Sequence, residues 1–438
     1  MKKTFALLLG AAGGLAILAC LIFFVFPRKE DTSRYPRVVI IGIDGIGWNF
    51  INPLFKEGKL PNLHALVTEG STGLLQTIAP TKSSIVWTSI ATGKSMVKHG
   101  IVDWTFVKKN KIQVPYSQSE RRVKAFWNIL SDRRRSVGVI NWFLSYPPEK
   151  VKGFMVTEPF RNLGRKDLSG VEITFPPDLI KTIAFAAQKR PREILKQENL
   201  PDYNIITPDG PLTSQYRNFV AQDKAVEVGG LYLLKNFPVE VYAVYFHLTD
   251  VVSHFGALYL DKRLAEKGRA EERKLGRATP ETLQEIDTAY SKVLDPFYSY
   301  ADRILGEYLA QCPPDTTFIV CSDHSFVFQN GGYNHFNTKT IPHGVILLKG
   351  PFIKKNHTLS RAHVYDVLPT LLYMLGLPVA EDMDGKVLVE AFTDDFLRQH
   401  PLKTIRTYED GKKRVTSRRN SKVDEKVLED FKSLGYIK

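Results

Sequence analysis

Arg37-Val38-Val39-Ile40-Ile41-Gly42-Ile43-Asp44-Gly45 is the stretch that decides the fold. Its β-branched run shows no apolar/polar alternation, which marks a strand buried on both faces, and Gly-Ile-Asp-Gly then turns the chain. Asp44 therefore stands at the carboxyl end of a strand. Runs of the same kind recur at Val137–Ile140, Val241–Phe246, Thr317–Cys321 and Val345–Leu348. Helical patterns lie between them, at Trp48–Lys56, at Leu60–Glu69 and from Ser83 onward. Repeated strand-helix alternation predicts an α/β domain built on a mostly parallel central sheet with helices on both faces. In such sheets ligands bind at the carboxyl ends of the strands.

Outward from this core the chain divides further. Thr4–Phe26 contains no charged residue and is flanked by Lys2, Lys3, Arg28 and Lys29. Its length suffices for one membrane crossing, and the apolar run continues past the small residues where a signal peptidase would cut. The expectation is one N-terminal transmembrane helix, an uncleaved signal anchor over residues 1–27, then a linker over 28–36 and a catalytic domain over 37–400. A short segment ahead of the anchor favours a single-pass protein whose large domain faces the extracytoplasmic side. Residues 142–215, rich in Pro, Tyr and charge, read as an inserted cap, and about 260–280 as a charged, solvated helix. Residues 401–438 form a basic tail.

Sixty Lys plus Arg against 46 Asp plus Glu give a net charge of +14. With 43% hydrophobic residues and three Cys, the composition excludes a disulfide miniprotein, a collagen-like chain and a disordered one. Beside an anchor, the basic tail suits anionic lipid better than nucleic acid, and no nucleic-acid partner is expected. Cys312 and Cys321 read as small buried residues rather than a disulfide pair.

Metal-ligand residue types follow or adjoin several of the buried strands. Asp44 follows the first; Asp250 and His254 follow Val241–Phe246; Asp323 and His324 follow Thr317–Cys321; His343 precedes Val345–Leu348. A strand-end carboxylate alone often only caps the next helix. A parallel sheet, however, gathers such residues on one edge. Three carboxylates and three imidazoles make a donor set that Zn²⁺ accepts. Asp250 and His254 lie four apart, hence on one face of a helix. Pro80-Thr81-Lys82-Ser83-Ser84 supplies hydroxyls at a helix start, where free N–H groups suit a phosphate and where Ser83 also serves as an N-cap.

Taken in order, IGIDG (41–45), LPNLHALVTEG (60–70), PTKS (80–83), WTSIATGK with HGI (87–101), DVVSH (250–254), SDHS (322–325), PHGVILLKGP (342–351) and DVLPTLLYMLGLP (366–378) resemble the alkaline phosphatase superfamily. The branch is the type I phosphodiesterase/nucleotide pyrophosphatase family. The resemblance implies a three-layer α/β/α fold and two divalent metal ions, zinc by preference. One ion would be held by Asp250, His254 and His343, the other by Asp44, Asp323, His324 and the nucleophile Ser83. Ser83 is selected over Thr81 and Ser84 because the family's nucleophile stands nine residues before the Thr of a TG pair, here Thr92. His343 is chosen over His335 for its HG pair ahead of a strand. Asp103-Trp104 replaces the Asn the family usually carries after HGI, and Ser83 lacks the Pro and Arg that a sulfatase nucleophile needs. The implied activity is hydrolysis of a phosphoric ester through a phosphoseryl intermediate. A transferase to an envelope lipid or glycan, or a silent anion-binding protein, stand as alternatives.

Overall fold

The computed structural model describes residues 37–437 apart from 109–110, 163–169, 188–189, 205, 208–209, 212, 337, 412–417 and 434–435. The expected anchor and linker lie outside the described residues. Among those described, no helix is long and apolar enough to cross a membrane.

The predicted strands form one sheet. Its members are β1 (Val38–Ile43), β2 (Ser71–Gln76), β3 (Val137–Ile140), β4 (Gly153–Val156), β5 (Thr174–Phe175), β6 (Val241–Phe246), β7 (Thr317–Cys321), β10 (Gly344–Lys349), β11 (His357–Thr358) and β12 (Ala362–His363). A separate hairpin, β8 (Val327–Gln329) and β9 (Gly332–Asn334), lies between β7 and β10. The sheet order is β11-β2-β10-β7-β1-β6-β3-β4-β5, with β12 also on β2. β1 is central and pairs in parallel with β6 (Ile43 opposite Phe246) and with β7 (Gly42 opposite Cys321). These registers bring three carboxyl ends level. β10 runs antiparallel to β7 and β2, so its amino end reaches the same edge.

All six β1 residues are buried, and the pleat sends them to two cores. Val39, Ile41 and Ile43 join Phe50, Ile51 and Leu54 of α1 (Trp48–Lys56), while α2 (Pro61–Glu69) adds Leu63 and Leu66. Val38 and Ile40 face Val86, Trp87 and Ile90 of α3 (Ser83–Thr92). Each such side chain contributes roughly 1.5–3 kcal/mol. α3 packs so closely that a Cβ on Gly42 would lie 2.7 Å from the Trp87 ring. All ten residues of α3 are buried, which fixes the position of its first residue.

Part of the stretch expected as a cap instead extends the sheet, because β4 pairs in parallel with β3 and carries β5 on its far side. The strand is only four residues long, too short to stand out among Pro and charge. Of the helical segments that follow it, Leu179–Ile183 and Pro191–Gln197, the second packs on α4 (Thr213–Asn236), and α5 (Leu248–Gly256) comes next. α6 (Lys262–Leu275) is the charged helix foreseen: Asp261 caps it, accepting from the Arg263 and Leu264 N–H groups, and only Gly268 is buried. α7 (Pro280–Gln311) follows. Cys312 and Cys321 are free thiols. The basic tail is not an open arm, since α8 (Ser421–Ser433) docks through Arg419, which bonds Glu120, Asp424, Ser117 Oγ and the Pro115 carbonyl.

Candidate metal centre

At the level carboxyl ends of β7, β1 and β6, six of the seven foreseen site residues converge. Gly45 turns the chain beyond β1 with φ +73°, a left-handed conformation that favours glycine, and a Cβ there would come 2.8 Å from Asp250 Cα. Glycine thus lets the β1 turn pack on the first turn of α5. Thr249 Oγ1 donates to the Asp44 carbonyl at 2.5 Å, and Ser322 Oγ accepts the Ile46 N–H at 3.0 Å while donating to the His324 carbonyl. The three strand ends are therefore tied to one another before any ligand enters.

Two clusters result: Asp44, Asp323 and His324, and Asp250, His254 and His335, with the potential ligand atoms in each lying within 4.8 Å of one another. His324 Nε2 stands 3.4 Å from Asp44 Oδ1, 3.3 Å from Asp323 Oδ2 and 3.8 Å from Asp250 Oδ1, so the clusters adjoin. In the second, His254 Nε2 lies 3.6 Å from Asp250 Oδ1 and 3.1 Å from His335 Nε2. The His324 and His335 rings stack at 3.9 Å. His335 Nδ1 donates to the Thr81 carbonyl at 3.0 Å and His324 Nδ1 to the Ser325 carbonyl at 3.1 Å. Those bonds fix the tautomers and turn both Nε2 lone pairs inward, as metal ligation requires.

The carboxylates point to the same chemistry. Asp44 Oδ1, Asp250 Oδ1 and both oxygens of Asp323 are buried without a hydrogen-bond partner. Burial, reinforced by Asp250, raises the Asp44 pKa; burial with Asp44 and Asp250 raises that of Asp323 well above the usual carboxylate range. Burial also acts on Asp250, but the neighbouring His254 outweighs it and holds that carboxyl low. Burial, with His324 beside it, keeps His335 neutral. Buried carboxylate oxygens left without a partner are costly unless a cation joins them. The residues present fit two divalent ions.

Ser83 Oγ stands 3.3 Å from His324 Nε2. Its rivals are engaged elsewhere, Thr81 Oγ1 with the Ile78 carbonyl and Ser84 Oγ with the Asp103 carbonyl. Ser83 is the first residue of α3 rather than its cap; Lys82 holds the cap position and pairs with Asp103 at 2.6 Å.

His343 is the one foreseen ligand the structure does not bring in. Its Nδ1 accepts the Thr77 N–H at 3.1 Å, and its ring borders a separate cavity with Trp48, Asn49 and Arg273. His335 takes the place instead, because the β8–β9 hairpin folds Gly332–Asn334 back toward α5. His99 serves the HGI turn, accepting the Ile101 N–H; burial, with Arg121 nearby, takes its pKa down to about 3. Sequence reasoning missed three aromatic partners. Trp87 Nε1 (3.0 Å) and Tyr245 OH (2.5 Å) donate to Asp44 Oδ2, and Tyr436 OH donates to Asp250 Oδ2. No local motif announces them.

Comparison with known proteins identifies the family and the fold. A family model for type I phosphodiesterase / nucleotide pyrophosphatase matches residues 38–371. Among solved structures, a putative sulfatase from Bacteroides thetaiotaomicron is 11% identical with TM-score 0.50, covering 84% of this chain and 75% of that one. A 2-O GAG sulfatase is likewise 11% identical at TM-score 0.50, with 81% and 73% covered, and both share the fold. Human ectonucleotide pyrophosphatase / phosphodiesterase 5 is 12% identical at TM-score 0.45, with 83% and 99% covered. No curated protein sequence matches. Since the family model spans most of the chain, from β1 past β12, the chain belongs to the type I phosphodiesterase/nucleotide pyrophosphatase family of phosphoester hydrolases.

Proposed function

We propose that the protein is a membrane-anchored phosphoric ester hydrolase that works through Ser83 and two divalent cations, zinc by the mixed nitrogen and oxygen donors. The observation that carries this reading is the set of unpaired buried oxygens on Asp44, Asp250 and Asp323 turned toward His254, His324 and His335, with Ser83 beside them. Asp250, His254 and His335 would hold one ion; Asp44, Asp323, His324 and Ser83 the other. When bound, such ions neutralise phosphoryl oxygens and make a nearby hydroxyl a better nucleophile.

The chain's own part follows from its geometry. The fully buried α3 holds Ser83 rigidly at the edge, and the first-turn N–H groups of that helix favour an anionic phosphoryl group in front of it. Ser83 Oγ attacks phosphorus, forming the Ser83 O–P bond as the ester oxygen departs and takes up a proton. Water then attacks the phosphoserine, releasing the phosphate product and restoring the Ser83 hydroxyl. The residues 1–27 supply the anchor in this reading, with the catalytic domain on the extracytoplasmic side.

Ser83→Ala tests the assignment. Hydrolysis of an aryl phosphodiester should fall at least about 10³-fold while both metals remain bound. A variant that keeps near wild-type rates removes Ser83 from the chemistry. Rates on a matched pair of aryl mono- and diesters then define the ester class.

A further inference from the structure

The last described residues of the chain return to the metal centre. Beyond α8, Tyr436 lays its ring parallel to Trp104, with centroids 4.3 Å apart and planes 7° apart. It also meets His254 edge-on at 5.3 Å and approaches Phe336 and Phe431. Its hydroxyl donates to Asp250 Oδ2 across 186 positions of sequence. The other oxygen of that carboxylate, Oδ1, faces the imidazoles of His254, His335 and His324.

The two clusters share one device. Asp44 has its Oδ2 held by Trp87 and Tyr245 and its Oδ1 left toward His324; Asp250 has its Oδ2 held by Tyr436 and its Oδ1 left toward the histidines. A carboxylate free to rotate offers either oxygen, whereas one held at Oδ2 presents Oδ1 in a single orientation, and outer partners of this kind tune affinity. The holders differ in origin. Trp87 and Tyr245 belong to α3 and β6 in the core, while Tyr436 arrives on a surface-docked arm fastened through Arg419.

We propose that Tyr436 is a positioning residue for the Asp250 metal, so that docking of the C-terminal arm completes that half of the centre. This rests on the two-metal reading above. Trp104 is the platform that makes the arrangement possible, since its face orients the phenol. The arm is thereby part of the site rather than a basic appendage.

The test is zinc titration of the full-length protein against a chelator of known affinity. In Tyr436→Phe, which keeps the stack on Trp104 and loses only the hydroxyl, one of the two zinc ions should bind about 10–100-fold more weakly, with the other unchanged and the melting temperature of the metal-free protein unaltered. Arg419→Ala, which loosens the arm far from the centre, should weaken the same ion. Equal binding of both ions in Tyr436→Phe overturns the proposal, as does a rise in hydrolysis, which would make the phenol a plug. If the unsubstituted protein binds no zinc, the two-metal reading itself falls and this one with it; two ions bound with the same pair of affinities in the unsubstituted protein and in Tyr436→Phe refute the arm's role alone.

Discussion

Replacing Gly45 by Ala separates backbone strain from contact at the centre, because Gly276 provides a matched control. Both glycines are left-handed, with φ +73° and +82°. A Cβ at Gly276 meets nothing within 4 Å, whereas one at Gly45 would sit 2.8 Å from Asp250 Cα and 3.0 Å from Phe326 Cε2. The left-handed conformation costs an alanine about 1–2 kcal/mol, offset by about 0.4–1 kcal/mol through the stiffer unfolded chain. Gly276→Ala should therefore lose no more than about 1.5 kcal/mol. Gly45→Ala carries the same difference plus about 1–3 kcal/mol of overpacking against backbone that cannot swing aside, about 1–4.5 kcal/mol in all. Urea unfolding of the metal-free proteins reads this directly, since both substitutions share one slope. Because the clash pushes on Asp250 itself, Gly45→Ala should also weaken zinc binding, and Gly276→Ala should not. Equal stability losses in the two variants, or undisturbed zinc binding in Gly45→Ala, would refute the reasoning.

Two further outcomes follow from geometry already described. His335→Ala should lose one zinc ion and at least about 100-fold in kcat/KM, while His343→Ala should keep both ions; the reverse pattern in metal analysis would restore the HG histidine as ligand. Asp287 has its pKa raised to about 6 by burial, against the hydrogen bonds from Tyr333 and Asn49. The folded state thus binds this proton more tightly than the unfolded chain, so stability is present at low pH and is lost as pH rises from about 4 through 6. Asp287→Asn, which still accepts from Tyr333, should gain on the wild type over that window by on the order of 1–3 kcal/mol, read from unfolding at pH 4.5 and 7.5. A constant difference across pH would exclude Asp287 as the cause.

What was legible in the sequence was whatever a strand announces by itself. β1, β3, β6, β7 and β10 are unbroken apolar runs because each is buried on both faces, and Asp44, Asp250, Asp323 and His324 follow three of them directly. A parallel register then does the rest, since level strand ends make distant residues neighbours. The choice between His335 and His343 depended on something else: His343 precedes the antiparallel β10 and His335 follows β9, and only the folding back of the β8–β9 hairpin decides which ring reaches Asp250. β4 was hidden by its shortness, and the cap over 142–215 was overdrawn accordingly. Tyr436 left no trace, because an aromatic near a charged, weakly apolar helix looks like any surface residue until the docking of α8 is known.

The packing of Trp87 and Trp104 has an optical consequence. The chain has five tryptophans, and these two sit on opposite halves of the centre: the Trp87 indole N–H is bonded to Asp44, and the Trp104 face is covered by Tyr436. Indole emission responds to charge and to stacking within a few ångströms, so the protein carries an intrinsic fluorophore for each half. Comparing the emission of Trp87→Phe and Trp104→Phe with that of the unsubstituted protein then separates filling of the Asp44 side from seating of the C-terminal arm without any added label.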